Sequence, residues 1–405
     1  MILTFNGKFM SRGLNKVLGY ESTPVDPYNP LGLPPNTVRV RTNDSNKPTR
    51  SPSSYVGPTY ESATLVPGTT DIYDIYKSGT SFLNLLRGCG NVVEVLGANT
   101  TGVTNMTAMF SGCTSLTTVA LFDTSSITST AQMFTSCSSL TSVPLFDTSS
   151  VTSTVDMFAS CTSLTSVPLF DTSSVTTMLQ MFFTCSALTS VPLFNTSKVT
   201  NMSQMFQNCS SLTTVPLFDT SKVTDMTYMF QSCTSLTSVP LFDTSSVAPT
   251  KMTNMFQNCS SLTSVPQFNT SNITTMMRMF EGCSSLTTVP QFDTSNVKNM
   301  HYMFNGCSSL VSVPLFNTSK ITYMQYMFQN CSSLKSVPLF DTSRVTNMTC
   351  MFSNCYKVES GALALYQQVS SQATPPSKHD FAFENCGRDT TTGAAELAQI
   401  PSGWK

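Results

Sequence analysis

Charge is scarce in this chain of 405 residues, and that scarcity excludes several classes of function. Charged residues make up 11% of the sequence, and 21 lysines and arginines nearly balance 22 aspartates and glutamates. A nucleic-acid binder normally carries a basic surface that neutralises phosphates, so we expect no nucleic-acid partner. Histidine occurs only 2 times, and the sequence contains no nucleophile-elbow, phosphate-loop or metalloprotease motif. We therefore expect a protein that is not an enzyme and that uses no cofactor and no metal.

Long apolar runs are missing as well. No stretch approaches the ~18 consecutive apolar residues that a membrane-spanning helix needs. The first residues, MILTFNGKF, lack the basic leader and apolar core of a secretory signal. We expect no signal peptide and no membrane insertion.

The chain does contain a repeat of 24 residues, which its cysteines mark. The spacing is interrupted once, by two extra residues at Val247-Ala248-Pro249-Thr250. A degenerate first copy ends at Cys89. The full ladder then consists of Cys113, Cys137, Cys161, Cys185, Cys209, Cys233, Cys259, Cys283, Cys307, Cys331 and Cys355.

Comparison of the copies shows which positions stay apolar. They are the cysteine, the residues three, six, nine and fourteen positions later, and the Met-Phe pair before the next cysteine. This spacing suits a coil that sends a side chain inward at short intervals, and one such coil buries its apolar face only by stacking on others. The sequence therefore predicts a repeat solenoid of about 12 coils with a non-repeat cap at each end.

One copy illustrates the predicted coil. Residues 212–217 are expected to form a short parallel β-strand, with the Leu217 position half-buried and Pro216 near the strand end. Asp219 is expected to cap the corner as an Asx-turn. Residues 224–231 are expected to form a short helical or 3₁₀ turn on the opposite face, with Met226, Met229 and Phe230 pointing inward.

The predicted domains follow from where the repeat starts and stops. Residues 1–80 form an N-terminal cap or attachment module, with strands at 1–9 and 37–41 and a proline-rich connection at 24–35. Residues 81–355 form the solenoid. Residues 356–405 form a C-terminal cap with a short helix at 361–372.

The unit Leu-x-x-Val-Pro-x-Phe-Asp-Thr-Ser-x-Val-Thr-x-Met-x-x-Met-Phe-x-x-Cys resembles the BspA-like leucine-rich repeat of surface proteins from Bacteroides-type bacteria, mycoplasmas and parasitic protists. The resemblance covers residues 85–355 and implies a leucine-rich-repeat fold and a role in adhesion. The segments LPPNTVRVRT at 33–42 and TTGAAELAQIP at 391–401 resemble proteins of gut bacteriophages. That second resemblance implies a virion protein, located on the virion surface or outside the cell and bound to other virion proteins through residues 1–80.

Two ladders of residues have a structural and a functional interpretation. The cysteine ladder is interpreted as a buried, reduced column, with disulfides between coils and metal binding as alternatives; Cys350 lies off the ladder and is expected to be the most reactive thiol. The column of Asp or Asn at the Asp219 position is interpreted as corner capping, with calcium binding as the alternative.

The positions at which the copies disagree give the functional hypothesis. In one column of the turn segment the residues change from copy to copy, and its large side chains include Tyr228, Arg278, Tyr302 and Tyr326. His301 and Tyr323 are expected nearby. Because tyrosine and arginine are enriched in binding hot spots, we predict a binding site made of Arg278, His301, Tyr302, Tyr323, Tyr326 and Tyr228.

The predicted function is recognition of a host cell-surface protein or glycan, by a bacteriophage virion-surface or tail-associated protein. A bacterial cell-surface adhesin is an alternative carrier of the same function. A structural decoration or spacer, and an ice-binding protein with threonine rows, are alternative functions. Assembly of the chain into a homo-oligomer is a further hypothesis.

Overall fold

The computed structural model describes residues 26–51 and 57–405. Within them the strands are β1 (Thr37–Thr42), β2 (Ser62–Leu65), β3 (Ile72–Tyr76), β4 (Val92–Asn99) and β5 (Thr118–Val119). The helices are α1 (Ala362–Ser370) and α2 (Thr391–Gln399), and a 3₁₀ turn follows at Ser402–Trp404. The strand predicted at 37–41 and the helix predicted at 361–372 are confirmed as β1 and α1. The strand predicted at 1–9 lies outside the described residues.

The strands form one sheet that covers the first coil. Its order is β2-β3-β1-β4-β5, with β1 antiparallel to both β3 and β4 and with β4 parallel to β5. Val38 and Val40 of β1 are buried in the core, and Arg39 on the other face pairs with Asp74 at 2.7 Å. Because β4 lies inside the predicted solenoid range, the sheet extends across the predicted boundary at residue 80.

The body of the chain is a stack of coils, and the turn side of each coil carries most of the hydrogen bonds that hold the stack. In one coil the N–H groups of Met202, Gln204 and Phe206 donate to carbonyls of the next coil at 2.9–3.0 Å. The N–H groups in between, such as that of Met205, donate to the carbonyl three residues back. The segment is therefore a run of overlapping turns, and the predicted helical or 3₁₀ turn is wrong.

Left-handed backbone explains why no helix forms there. Gln204 has φ 57° and Asn208 has φ 63°, and each such residue reverses the direction of the neighbouring peptide groups. Alternate N–H groups consequently point along the stack, where they bond to the next coil. A helix would use all of its N–H groups internally and leave the coils unlinked. The expected inward direction of Met226, Met229 and Phe230 is confirmed, since all three are buried.

Among the described residues, the opposite side of the coil is extended but forms regular strands only in its first two copies, at β4 and β5. In later copies a single N–H bonds to the previous coil, for example Thr213 to the Thr189 carbonyl at 3.3 Å. The copy that begins at Cys113 has Ala120, whose N–H donates to the Val95 carbonyl at 2.9 Å. The later copies have a proline at that position, as at Pro216, and proline has no N–H to donate. The strand predicted at 212–217 is therefore an extended segment without a ladder.

The leucine position on this side is more exposed than predicted. We expected Leu217 to be half-buried, but it is 60% exposed. Its neighbours along the stack, Leu193 and Leu241, are each 59% exposed. The buried side chains of this segment are Leu212, Val215 and Phe218, which recur at every third residue, so the Leu217 position falls outside the inward set.

Columns of identical side chains build the core. Phenylalanine rings of successive coils lie nearly parallel, as between Phe182 and Phe206 at 5.7 Å and 6°. The two extra residues at the insertion do not interrupt the stack, because Met226 donates across it to the Lys251 carbonyl at 2.9 Å. The buried residues form one continuous apolar cluster from Val38 to Trp404. The structure thus confirms a repeat solenoid.

The C-terminal cap closes the last coil. Phe383 continues the phenylalanine column by stacking on Phe352 at 5.9 Å, and Trp404 lies beside Phe383. Helix α1 begins after Gly361, which has φ 97°, and a Cβ there would come within 2.2 Å of the Val337 carbonyl. Glycine is required at that position because the chain approaches the last coil so closely.

Candidate binding site

The variable column of the turn side has left-handed backbone in every copy that the structure describes. Its φ angles lie between 53° and 60°. A non-glycine residue in this conformation costs on the order of 1–3 kcal/mol. The column consists of Ala108, Gln132, Asp156, Gln180, Gln204, Tyr228, Asn254, Arg278, Tyr302, Tyr326 and Cys350.

Four of the predicted site residues form one group, here called the aromatic cluster: Arg278, His301, Tyr302 and Tyr326. The Arg278 guanidinium lies over the Tyr302 ring at 4.6 Å. Tyr302 stacks on Tyr326 with ring centroids 4.5 Å apart and 6° between the planes. The imidazole of His301 meets both rings edge-on, at 4.1 Å and 5.9 Å. Side chains that are 24 positions apart in the sequence therefore stack on one another in consecutive coils.

His301 is the histidine of the aromatic cluster and packs beside both tyrosine rings. Burial lowers the pKa of the imidazole, the charge of Arg278 lowers it further, and the neighbouring Gln325 amide partly offsets both. The imidazole is consequently neutral at pH 7, because its ordinary pKa is already below that value. A neutral ring stacks beside the tyrosines without adding a second positive charge next to Arg278.

A row of hydrogen-bonded amides leads to the aromatic cluster from the neighbouring coils. Gln207 donates to Gln231, which donates to Gln257 at 2.6 Å. Gln257 donates to a carboxylate oxygen of Glu281 at 2.6 Å, and Arg278 donates to the same oxygen at 3.2 Å. Glu281 therefore fixes Arg278 in the position from which it covers Tyr302.

Two of the predicted site residues do not join the cluster, and one contributor was missed. Tyr323 is 48% exposed, and within the described chain neither it nor Tyr228 has a ring contact with the cluster. The cluster residues Arg278, Tyr302 and Tyr326 are half-buried. Glu281 was not predicted, although its place three residues after Arg278 in a row of glutamines was a usable signal.

The thiols of the cysteine column are buried and are held in their protonated form. All cysteines of the chain are free thiols, as predicted. Each ladder thiol donates to a carbonyl of the previous coil, as Cys209 does to Phe182 at 3.1 Å. Burial raises the pKa of Cys209 to about 12. Cys350, which lies off the ladder, is half-buried, and burial raises its pKa as well.

The acidic column caps the corners as predicted. The Asp219 carboxylate accepts the Ser221 N–H at 3.1 Å and the Ser221 hydroxyl at 2.7 Å, which lowers the pKa of that carboxyl. In the described parts of the chain, no three His, Cys, Asp or Glu side chains converge as a metal site. No helix among residues 26–51 and 57–405 has the length and apolarity to cross a bilayer.

Comparison with solved structures gives distant likenesses. A leucine-rich repeat protein from Eubacterium ventriosum ATCC 27560 is 16% identical with a TM-score of 0.24, over 51% of this chain and 80% of that one. A chain of the TLR13–ssRNA13 complex is 14% identical with a TM-score of 0.28, over 69% of this chain and 41% of that one. At these TM-scores neither likeness carries an argument about fold or function.

A search of curated proteins gives no match. The sequence model of the family described as "Mycoplasma protein of unknown function, DUF285" matches residues 80–191, 164–265 and 250–364. The matched segments overlap and together follow the coil stack through more than half of the chain. The chain therefore belongs to the DUF285 family.

Proposed function

We propose that this solenoid is a non-enzymatic recognition protein that binds a host cell-surface protein or glycan through the aromatic cluster. The observation that carries the proposal is the pile of Arg278, Tyr302 and Tyr326 at backbone positions that disfavour large side chains. Ala108 and Asn254 occupy the same column, so the coil itself does not require a ring there.

The chemistry of the cluster suits an interface. Stacked tyrosines are rigid and lose little side-chain entropy when a partner docks. Arg278 adds hydrogen-bond donors at one end of the pile, and Glu281 holds it in place. Protein surfaces and the apolar faces of sugar rings are both recognised by aromatic side chains flanked by polar groups.

The test replaces both tyrosines by the residue that the chain itself uses in this column. Tyr302→Asn with Tyr326→Asn removes the rings and places asparagine, which tolerates left-handed backbone, at both sites. We expect at least a tenfold loss of binding to an array of bacterial glycans and to a panel of gut bacterial cells, with an unchanged unfolding temperature. Gln132→Asn with Gln180→Asn is the matched control, in the same column of distant coils.

Full binding by the tyrosine variant would refute the proposal and favour a spacer. Residence on a bacteriophage virion and attachment to other virion proteins through residues 1–80 stay predictions. Gene neighbourhood tests the first of them, since flanking capsid or tail genes are expected for a virion protein and adhesin export genes for a bacterial surface protein.

A further inference from the structure

The extended side of the solenoid carries a row of exposed leucines, here called the leucine ladder, which two coils interrupt with Gln267 and Gln291. In five consecutive coils the leucines are 58–60% exposed: Leu145, Leu169, Leu193, Leu217 and Leu241. Leu121, Leu315 and Leu339 continue the row at 38%, 62% and 54%. Single exposed leucines are ordinary, but a contiguous apolar strip on a regular surface marks an interaction site.

The surface around the leucine ladder is nearly uncharged. Each coil presents Leu-Thr-Ser-Val-Pro-Leu or a close variant, and the first charged side chain in these segments is Lys335, near the C-terminal end. A column of aspartate or asparagine follows on one side, as at Asp219 and Asp243, and exposed threonines such as Thr213 form the other side. The strip therefore has an acidic edge and a neutral edge.

The spacing of the ladder selects its partner. Leucines recur once per coil, at about the 4.8 Å separation of stacked strands. An α-helix presents side chains on one face every 5.4 Å, and a strand presents them every ~6.6 Å, so neither stays in register with a rigid ladder over many coils. A second copy of the same ladder has the same period along its whole length.

The area of the strip is also close to what a dimer needs. Six extended residues span about 20 Å across the strip, and the nine spacings between the ten coils from Leu121 to Leu339 span about 40 Å. The face is thus roughly 800 Å², which is near the ~800 Å² per partner of a standard interface. No helix or strand of the described chain lies over it, since every ladder leucine keeps its exposure.

We propose that two copies of the chain pair through the leucine ladder, with the two solenoids parallel. A twofold axis along the ladder places the acidic edge of one copy opposite the neutral threonine edge of the other. The antiparallel alternative would set Asp219 and its neighbours against the same column of the partner. The parallel arrangement also places each coil opposite the equivalent coil of the second copy. Gln267 and Gln291, the two polar residues of the row, therefore each face the same glutamine of the second copy and fix the register.

The first experiment measures the oligomeric state of the full chain by sedimentation velocity between about 1 and 100 µM. Leu193→Gln with Leu217→Gln is the test variant, and Gln267 shows that the coil folds with glutamine at this position. We expect a dimer for the original chain and dimerisation at least a hundredfold weaker in the variant. Lys198→Gln with Lys222→Gln, exposed on the same two coils, is the control and is expected to dimerise fully. A monomeric original chain, or a leucine variant that still dimerises, would overturn the proposal.

The second experiment tests the orientation. Leu145→Cys and Leu339→Cys are made separately in a Cys350→Ser background, because the ladder cysteines are buried. In a parallel pair each new thiol lies near its own copy, so both variants are expected to form disulfide-linked dimers under mild oxidation. A variant that dimerises but does not cross-link, at either of the two positions, would refute the parallel arrangement.

Discussion

Thr184 offers the sharpest test of the backbone argument. It lies at the position before a ladder cysteine, where the structure has left-handed backbone, and its φ is 59°. A β-branched residue in this conformation is an outlier, and the strain is on the order of 1–3 kcal/mol. Other coils have asparagine at this position, for example Asn208 and Asn330.

Asparagine at this site would keep the neighbouring hydrogen bond. The Asn208 amide donates to the Thr184 hydroxyl at 3.3 Å, and the equivalent Asn354 amide donates to the side-chain oxygen of Asn330 at 3.0 Å. Thr184→Asn therefore removes part of the strain without losing a partner. Because asparagine is several-fold enriched in the left-handed region, we expect a stabilisation of about 1 kcal/mol.

Urea denaturation of the full chain measures this effect as a rise in the unfolding midpoint at constant slope. Thr200→Asn is the matched control, since Thr200 is exposed and lies outside the left-handed set. It is expected to give no stabilisation. Equal gains in both variants, or a lower midpoint for Thr184→Asn, would refute the explanation by backbone strain.

Three further predictions concern the core and the cluster. Ellman's reagent is expected to label Cys350 slowly in the folded chain and all 14 thiols in denaturant; fast labelling of more than one native thiol would contradict the buried ladder. Phe230→Ala is expected to lower the free energy of unfolding by about 3–5 kcal/mol, because it leaves a cavity in a stacked column; calorimetry checks this, and a loss below ~1 kcal/mol would mean that the column is loosely packed. The pKa of His301 is lowered in the folded state, so the unfolded chain takes up the proton first as the pH drops. The free energy of unfolding is therefore expected to fall as the pH drops below about 6.5. His301→Gln, which copies Gln325 of the next coil, should remove that part of the pH dependence in a series of denaturation curves.

Periodicity predicted the solenoid because the information is local and repeated. Nearly every coil places a cysteine, a leucine and a Met-Phe pair at the same positions, and only stacking buries them together. The corner aspartates were predictable for a similar reason, since an Asx-turn joins residues only two positions apart, as in Asp219 and Ser221. Inward and outward positions of the turn segment followed from the same pattern.

The conformation of the turn segment could not be read from apolar spacing. Overlapping turns and a helix bury similar positions, and the choice between them depends on bonds to the next coil, as between Gln204 and Thr227. The glycines and asparagines before the cysteines, such as Gly282 and Asn208, were the one local signal of left-handed backbone.

The sequence by itself determined the repeat length, the buried columns and the corner turns, because each depends on residues close together in the chain. The 24-residue spacing also placed Arg278, Tyr302 and Tyr326 on consecutive coils of one column, with Tyr228 two coils before Arg278. Only the tertiary structure decided how the side chains pack: Tyr302 and Tyr326 stack, whereas Tyr323, which belongs to another column, is exposed, because contact between coils depends on the side-chain direction at each position. The same stacking left the Leu217 position in solvent, since an extended segment on the surface of a single-layer coil has nothing packed outside it.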